Sequence, residues 1–260
     1  MLDERWIRSL HVETMRRADL HAGHKPRVLF QASTIGALLE GAFEGDVTFG
    51  ELAEHGDLGL GTLNHLDGEM IALDGRFYRA DVEGEVTEVA AEERTPFAVV
   101  VPFEPSIEFD FEGSLGHQAL LDQIHRRVPA DAPSCAVRLD GRFEFVKARS
   151  VPRQEPPYRP LSEVVSDQRV FELGDADGAM LGFRFPDYAE GIEVSGWHLH
   201  FITEDCRRGG HVLDSRATAV HVGIDPSSDL HVELPPEVDL GSPQAATSTR
   251  AAIERVEHGG

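Results

Sequence analysis

The chain has 260 residues, 41% hydrophobic and 27% charged, with 46 acidic against 24 basic residues and a formal net charge of −22. That length and composition suit a globular protein with a proper core, and no segment holds the roughly 20 apolar residues that cross a bilayer. So acidic a surface repels phosphate backbones and anionic lipid, which argues against nucleic-acid and membrane partners.

Residues 1–27 are charged throughout and lack the apolar stretch of a secretory signal; they read as an N-terminal helical extension, a helix followed by a polar tail. With only two cysteines, Cys135 and Cys206, too few for a disulfide framework, this points to a cytoplasmic protein with reduced thiols. Val28 to Phe30 form an apolar strand leading into a short apolar helix around Ile35 to Phe43. Thr48 and Glu51 have capping-box spacing, so a second short helix is expected at 49–54. From Gly56 to Ala80 the glycine-punctuated text reads as consecutive hairpins, with the Asp74-Gly75 pair as its strongest turn signal. "FAVVVPF" at 97–103 is a buried strand. "GHQALLDQIHRRV" at 116–128 puts Leu120, Leu121, Ile124 and Val128 on one helical face. "CAVRLDGRFEFVKARSV", 135–151, reads as another hairpin, turning at Asp140-Gly141.

Four prolines between 152 and 160 mark the join between two halves, 28–151 and 152–260. Beyond them "RVFEL", "AMLGFRFP", "WHLHFI", "HVLDS", "TAVHVGI" and "LHVEL" are short and mostly period-two. The expected fold class is therefore α/β in the α+β sense: two β-sheet-containing halves with covering helices, the C-terminal half β-rich. The last fifteen residues read as a helical or extended tail.

"GWHLHFITEDCRRGGHVLD", 196–214, carries the chemistry. Side chains at i and i+2 of a strand share a face, so His198 and His200 project together, opposite Trp197, Leu199 and Phe201. The Gly209-Gly210 pair suits a turn that returns His211 towards them. Three imidazoles with no fourth protein ligand match an open catalytic zinc site. Spacing alone leaves a second reading, solvent-facing histidines in a chain that has 13, and His221 and His231 in later strands are taken as such. Cys206 lies in the turn and is taken as a loop cysteine. Spacing also leaves the reaction open.

Two long blocks, "FQASTIGALLEGAFEGDVTFGELAEHGDLGLGTLNHLDGEMIALDGRFYRA" and "GIEVSGWHLHFITED…GGHVLD", closely resemble the alpha-acetolactate decarboxylases, and the similarity runs from about Val28 to about Leu240. The resemblance implies a two-part α/β enzyme, a homodimer, with zinc in the cleft between its halves. It implies conversion of 2-acetolactate, (S)-2-hydroxy-2-methyl-3-oxobutanoate, to (R)-acetoin and carbon dioxide, serving either acetoin and butanediol production or branched-chain amino acid balance. The family's HLH…GGH histidines, its zinc ligands, fall on His198, His200 and His211. Its LDGE glutamate falls on Glu69 and the arginine after its central strand on Arg149. A functional glutamate near the family's C-terminus corresponds to Glu254 or Glu257, ungapped spacing favouring Glu257. Trp197 stands where the family commonly has tyrosine.

The chemistry asks for such a set. Decarboxylation leaves the bonding electrons beside a carbonyl as an enediolate, and a metal Lewis acid stabilises charge there. Arg149 would hold the anionic substrate against the repulsion of an acidic protein. Glu69 and Glu257 are the candidate general acids, and Thr62 in "GLGTLN" a pocket-lining hydroxyl. The competing readings are a zinc hydrolase of small esters or lactones, with the same histidines activating water, and a non-catalytic metal- or anion-binding domain.

Overall fold

The structure, a computed structural model, describes residues 11–15 and 28–234. Its elements begin with β1 (His11–Met15), β2 (Val28–Ala32), α1 (Ile35–Leu39), β3 (Val47–Thr48), α2 (Phe49–Ala53), β4 (Leu58–Thr62), β5 (Glu69–Leu73), β6 (Arg76–Ala80), β7 (Val86–Glu88), β8 (Arg94–Thr95), β9 (Ala98–Val101) and β10 (Ile107–Gly116). They continue with α3 (His117–His125), β11 (Ser134–Ser150), α4 (Leu161–Val164), β12 (Arg169–Phe185), β13 (Gly196–Thr203), β14 (Gly209–Ser227) and β15 (Asp229–Glu233). Eight strands form one sheet in the order β1-β15-β2-β9-β4-β5-β6-β7, and five form another in the order β10-β14-β11-β12-β13. The start of β14 also pairs with β13, so β14, β11, β12 and β13 close on one another. The fold is α+β, strand-rich towards its C-terminal part, as expected. No helix among the described residues is long and apolar enough to cross a membrane.

Local chemistry accounts for several elements directly. The capping box forms at α2: the Thr48 hydroxyl accepts from the Glu51 N–H while the Glu51 carboxylate accepts from the Thr48 N–H. Asp74 and Gly75 both take positive φ, 53° and 75°, which is what a two-residue hairpin between β5 and β6 requires. Helix α3 buries Leu120, Leu121 and Ile124 as its period predicts.

Non-local pairing overrules four expectations. Residues 11–15, expected within a helix, are a strand, because the edge of β15 offers them a parallel ladder from His11↔Asp229 to Met15↔Glu233. Asp140-Gly141 is no turn: β11 runs straight through it, pairing Gly141 with Gly178 of β12 on one side and Val220 of β14 on the other. Glycine is needed there for a close approach, since a Cβ would lie 2.2 Å from the Ala219 carbonyl oxygen. Nor do the sheets divide at the proline cluster. Strands β10 and β11 precede it yet belong to the second sheet, and β15 follows it yet lies between β1 and β2 in the first. The short strands read in the C-terminal half also merge, "RVFEL" and "AMLGFRFP" into β12 and "HVLDS" and "TAVHVGI" into β14, because β11 carries the ladder across the polar interruption in β12, and β10 and β11 together across that in β14.

The two sheets pack face to face. Leu60, Ile71, Val99, Leu181, Phe183 and Ile202 belong to one buried cluster that draws on both. The opposite face of the first sheet buries Met70, Ala72 and Val100 with Phe49 and Leu52 of α2. The opposite face of the second buries Val137, Leu139, Leu199 and Phe201 with the apolar side of α3. Each sheet is therefore covered on both faces along its central strands.

Both cysteines are free. Cys135 is fully buried, and burial pushes its thiol up to about 12, whereas Cys206 is half-buried in the β13–β14 turn. The thiolate is the nucleophile, so Cys135 is inert in the native state. Iodoacetamide at pH 8 is expected to add a single adduct, on Cys206, to the folded protein, and a second only after denaturation. Native labelling of Cys135, read by peptide mass, would contradict this packing.

Candidate metal centre and active site

The register of three strands builds the centre. Arg149 of β11 lies directly opposite His211 of β14, and His211 directly opposite His200 of β13. Residues opposite one another in a sheet share a face, so these three side chains form one cross-strand row, with His198 two residues away on the same side. The imidazole rings stand 5.0 to 5.4 Å apart, centroid to centroid. One ligand-capable nitrogen from each of His198, His200 and His211 falls within 4.8 Å of the others. All three residues are buried, at 8%, 0% and 1% exposure, which rules out the solvent-facing reading for them. Both faces of β13 are in fact covered: Leu199 and Phe201 enter the cluster beneath α3, while the histidine face meets the first sheet.

That first sheet supplies the other wall. The His200 Nδ1–H donates to the Met70 carbonyl of β5 at 2.8 Å, which leaves Nε2 with its lone pair towards the site. This Nε2 has no hydrogen-bond partner, and neither does His198 Nδ1, although both are buried. Burial pushes His200 down to about 3 and His198 well below its ordinary value, so both imidazoles are neutral, with a ring nitrogen lone pair that no proton occupies. Buried, uncharged nitrogens converging without partners fit a divalent cation such as zinc.

Glu69 opens β5, opposite Thr62 of β4. Its Oε1 accepts from Arg149 Nη1 at 3.0 Å, and its Oε2 lies 3.6 Å from His200 Nε2. Burial raises the Glu69 carboxyl above its usual range, against the opposing pull of the Arg149 guanidinium. With His200 neutral, the 3.6 Å contact is not an ion pair. The Thr62 hydroxyl donates to the Gly68 carbonyl at 2.8 Å and pins the turn that leads into Glu69. Thr62, Glu69, Arg149 and His198 line one cavity that is open to solvent. The rest of its wall is apolar, including Ile35, Leu66, Phe97 and Leu161.

Six residues singled out from the sequence, Thr62, Glu69, Arg149, His198, His200 and His211, thus meet in one place. Glu254 and Glu257 lie outside the described residues. Cys206 is not part of the histidine group among the described residues, and His221 sits exposed on the second sheet between Asp110 and Glu108. Sequence reasoning missed the Met70 carbonyl and the apolar wall. A backbone acceptor carries no residue-type signal, and Leu66 and Leu161 look like any other core leucines.

Fold and site together define a two-sheet α+β enzyme with a buried three-histidine centre able to hold a metal ion. The sequence model of one family, alpha-acetolactate decarboxylase, matches residues 29–242, and the chain belongs to that family of carboxy-lyases. It is 41% identical over 235 residues to the alpha-acetolactate decarboxylase of Methylococcus capsulatus, covering 90% of each chain. With that of Klebsiella aerogenes it shares 39% over 247 residues, 95% of this chain and 94% of the other. The crystal structure of the Bacillus subtilis strain 168 enzyme superposes with a TM-score of 0.82 at 36% identity, over 88% of this chain and 98% of that one.

Proposed function

We propose that the chain decarboxylates (S)-2-acetolactate to (R)-acetoin and carbon dioxide, using a zinc ion held by His198, His200 and His211. The observation that carries this is the convergence of three buried imidazoles beside a buried Glu69–Arg149 pair, next to a cavity that His198, Glu69 and Arg149 line, in a chain of this family. Zinc, when bound, supplies Lewis acidity where the hydroxyl and ketone oxygens gather charge.

Arg149 receives the substrate. Its guanidinium is 4% exposed and at the cavity wall, so a carboxylate that enters meets a fixed, partly desolvated fork rather than the acidic surface. As the C–C bond breaks, its electron pair stays with the hydroxyl-bearing carbon and is delocalised through a new carbon–carbon double bond onto the ketone oxygen, giving the enediolate, and carbon dioxide leaves uncharged. The apolar wall of Leu66, Phe97 and Leu161 excludes water that would otherwise protonate the enediolate from either side. Glu69, whose carboxyl burial raises above its usual range, is the acid assigned to deliver a proton to the carbon that lost carbon dioxide. Delivery from one face gives one acetoin enantiomer. Glu257, with Glu254 as the alternative, belongs to the same reading as a second acid contributed by the tail, and a cytoplasmic homodimer is its expected state.

The test is acetoin formation from racemic acetolactate with zinc quantified in the same sample. Chelation is expected to abolish turnover and zinc to restore it. A full rate in thoroughly zinc-depleted protein would remove the metal from the reaction. Turnover of esters or lactones without release of carbon dioxide would instead favour the hydrolase.

A further inference from the structure

The segment between β4 and β5 has an unusual backbone. His65 and Leu66 both take positive φ, 66° and 52°, a left-handed conformation that residues other than glycine adopt only when their surroundings impose it. Its outcome is the placement of Leu66, 1% exposed, in the wall of the cavity beside Thr62 and Glu69.

The surroundings that impose it converge on Tyr158. The His65 N–H donates to the Phe43 carbonyl and the His65 carbonyl accepts from the Gln154 N–H, both at 2.7 Å. The His65 side chain meets the Tyr158 hydroxyl at 2.5 Å through Nδ1, and that hydroxyl donates to the Glu44 carboxylate at 2.7 Å. A phenol has one proton, and here Glu44 takes it, so His65 Nδ1–H is the donor to the phenol oxygen. Burial, with the bond to Glu44 adding to it, pushes the Tyr158 phenol up to about 12, so that proton stays in place across the working range. The Tyr158 ring also packs edge-on against Phe43, centroids 5.2 Å apart. Tyr158 thereby ties together residues 43–44, residues 65–66 and its own proline-rich segment, whose ends place Val151 and Leu161 in the same cavity wall.

We infer that His65 and Tyr158 are positioning residues for the decarboxylation, holding Leu66 and Leu161 as a closed apolar wall that limits the alkyl group at the reacting carbon. The inference rests on the reaction proposed above. Neither side chain lines the cavity, so each acts through the leucines it positions.

The experiment compares Tyr158→Phe, His65→Ala and His65→Asn with the wild type, using 2-acetolactate and its homologue with ethyl in place of the 2-methyl group. Tyr158→Phe keeps the ring packing and loses only the hydroxyl. Losing that hydroxyl, with its hydrogen bonds to both His65 and Glu44, predicts a drop of at least about threefold to tenfold in kcat/KM for acetolactate, carried by kcat, at unchanged zinc content. The ethyl homologue should lose less, so the preference for methyl narrows. His65→Ala should behave in the same way. Asparagine tolerates the left-handed backbone and can donate an amide N–H to Tyr158, so His65→Asn should recover most of the loss. The positioning role is overturned if Tyr158→Phe and His65→Ala match the wild type on both substrates, if both substrates fall by one factor in step with zinc content or melting temperature, or if His65→Asn is no better than His65→Ala. A wild type that makes no acetoin at all overturns the reaction itself, an outcome separate from these three.

Discussion

Replacing His200 with alanine is expected to leave a folded protein that no longer retains zinc and forms acetoin at less than about a thousandth of the wild-type rate, the scale of loss when a catalytic metal's charge stabilisation is removed. His200 is the most constrained of the three imidazoles. It is fully buried, its Nδ1–H is committed to the Met70 carbonyl, and its Nε2 is aimed at the site with no other partner. No rotation lets another atom take over that position. Alanine also strips the Met70 carbonyl of its side-chain donor, a cost of about 1–3 kcal/mol in stability, which the long β13 ladder with β12 can bear. His221→Ala is the matching control: that histidine is exposed on β14, paired with Asp110 and Glu108 of β10. Zinc content and rate should be untouched by it. Should His200→Ala hold stoichiometric zinc after dialysis, the three-histidine centre would have to be abandoned.

The second large effect is expected at Glu69→Gln. Glutamine keeps the size and can still accept from Arg149 at the 3.0 Å position, so the buried guanidinium is not stranded. Outright removal of one partner from such a pair costs about 3–5 kcal/mol, which is why glutamine and not alanine isolates the chemistry. What glutamine lacks is a transferable proton. A positioned general acid is worth about 10²- to 10⁴-fold, so kcat should fall by that order while zinc content stays unchanged. The residual acetoin should also be closer to racemic, because protonation by water has no fixed face. Chiral chromatography of the product reads this independently of rate. A variant within twofold of wild type, with undiminished enantiomeric excess, would take the proton-delivery role away from Glu69.

The local layer of this fold was legible from residue types alone. The capping box at Thr48 and Glu51, the Asp74-Gly75 turn and the amphipathic face of α3 depend on neighbours a few positions apart, and each formed as its spacing predicts. Failures fell where a distant strand outcompeted a local preference. Asp140-Gly141 has the composition of a hairpin turn, yet ladders on both sides hold it extended. Residues 11–15 lie in an N-terminal segment that reads as a helix followed by a polar tail, yet β15 recruits them as a strand. The proline cluster looked like a boundary because proline stops elements locally. It does not record which sheet the strands on either side join.

For the site, the i, i+2 spacing of His198 and His200 determined that their side chains share a face, and the family resemblance singled out Glu69 and Arg149. What only the tertiary structure decided is what that face meets. The register Arg149↔His211↔His200 aligns a cation with two imidazoles across three strands, and the stacking of the first sheet on the second brings Glu69 and the Met70 carbonyl onto them. Periodicity is a property of one strand, fixed by bond geometry. Register and sheet stacking are set by the summed burial of dozens of side chains far apart in the chain, and that sum turns three ordinary histidines into a buried, convergent group able to hold a metal ion.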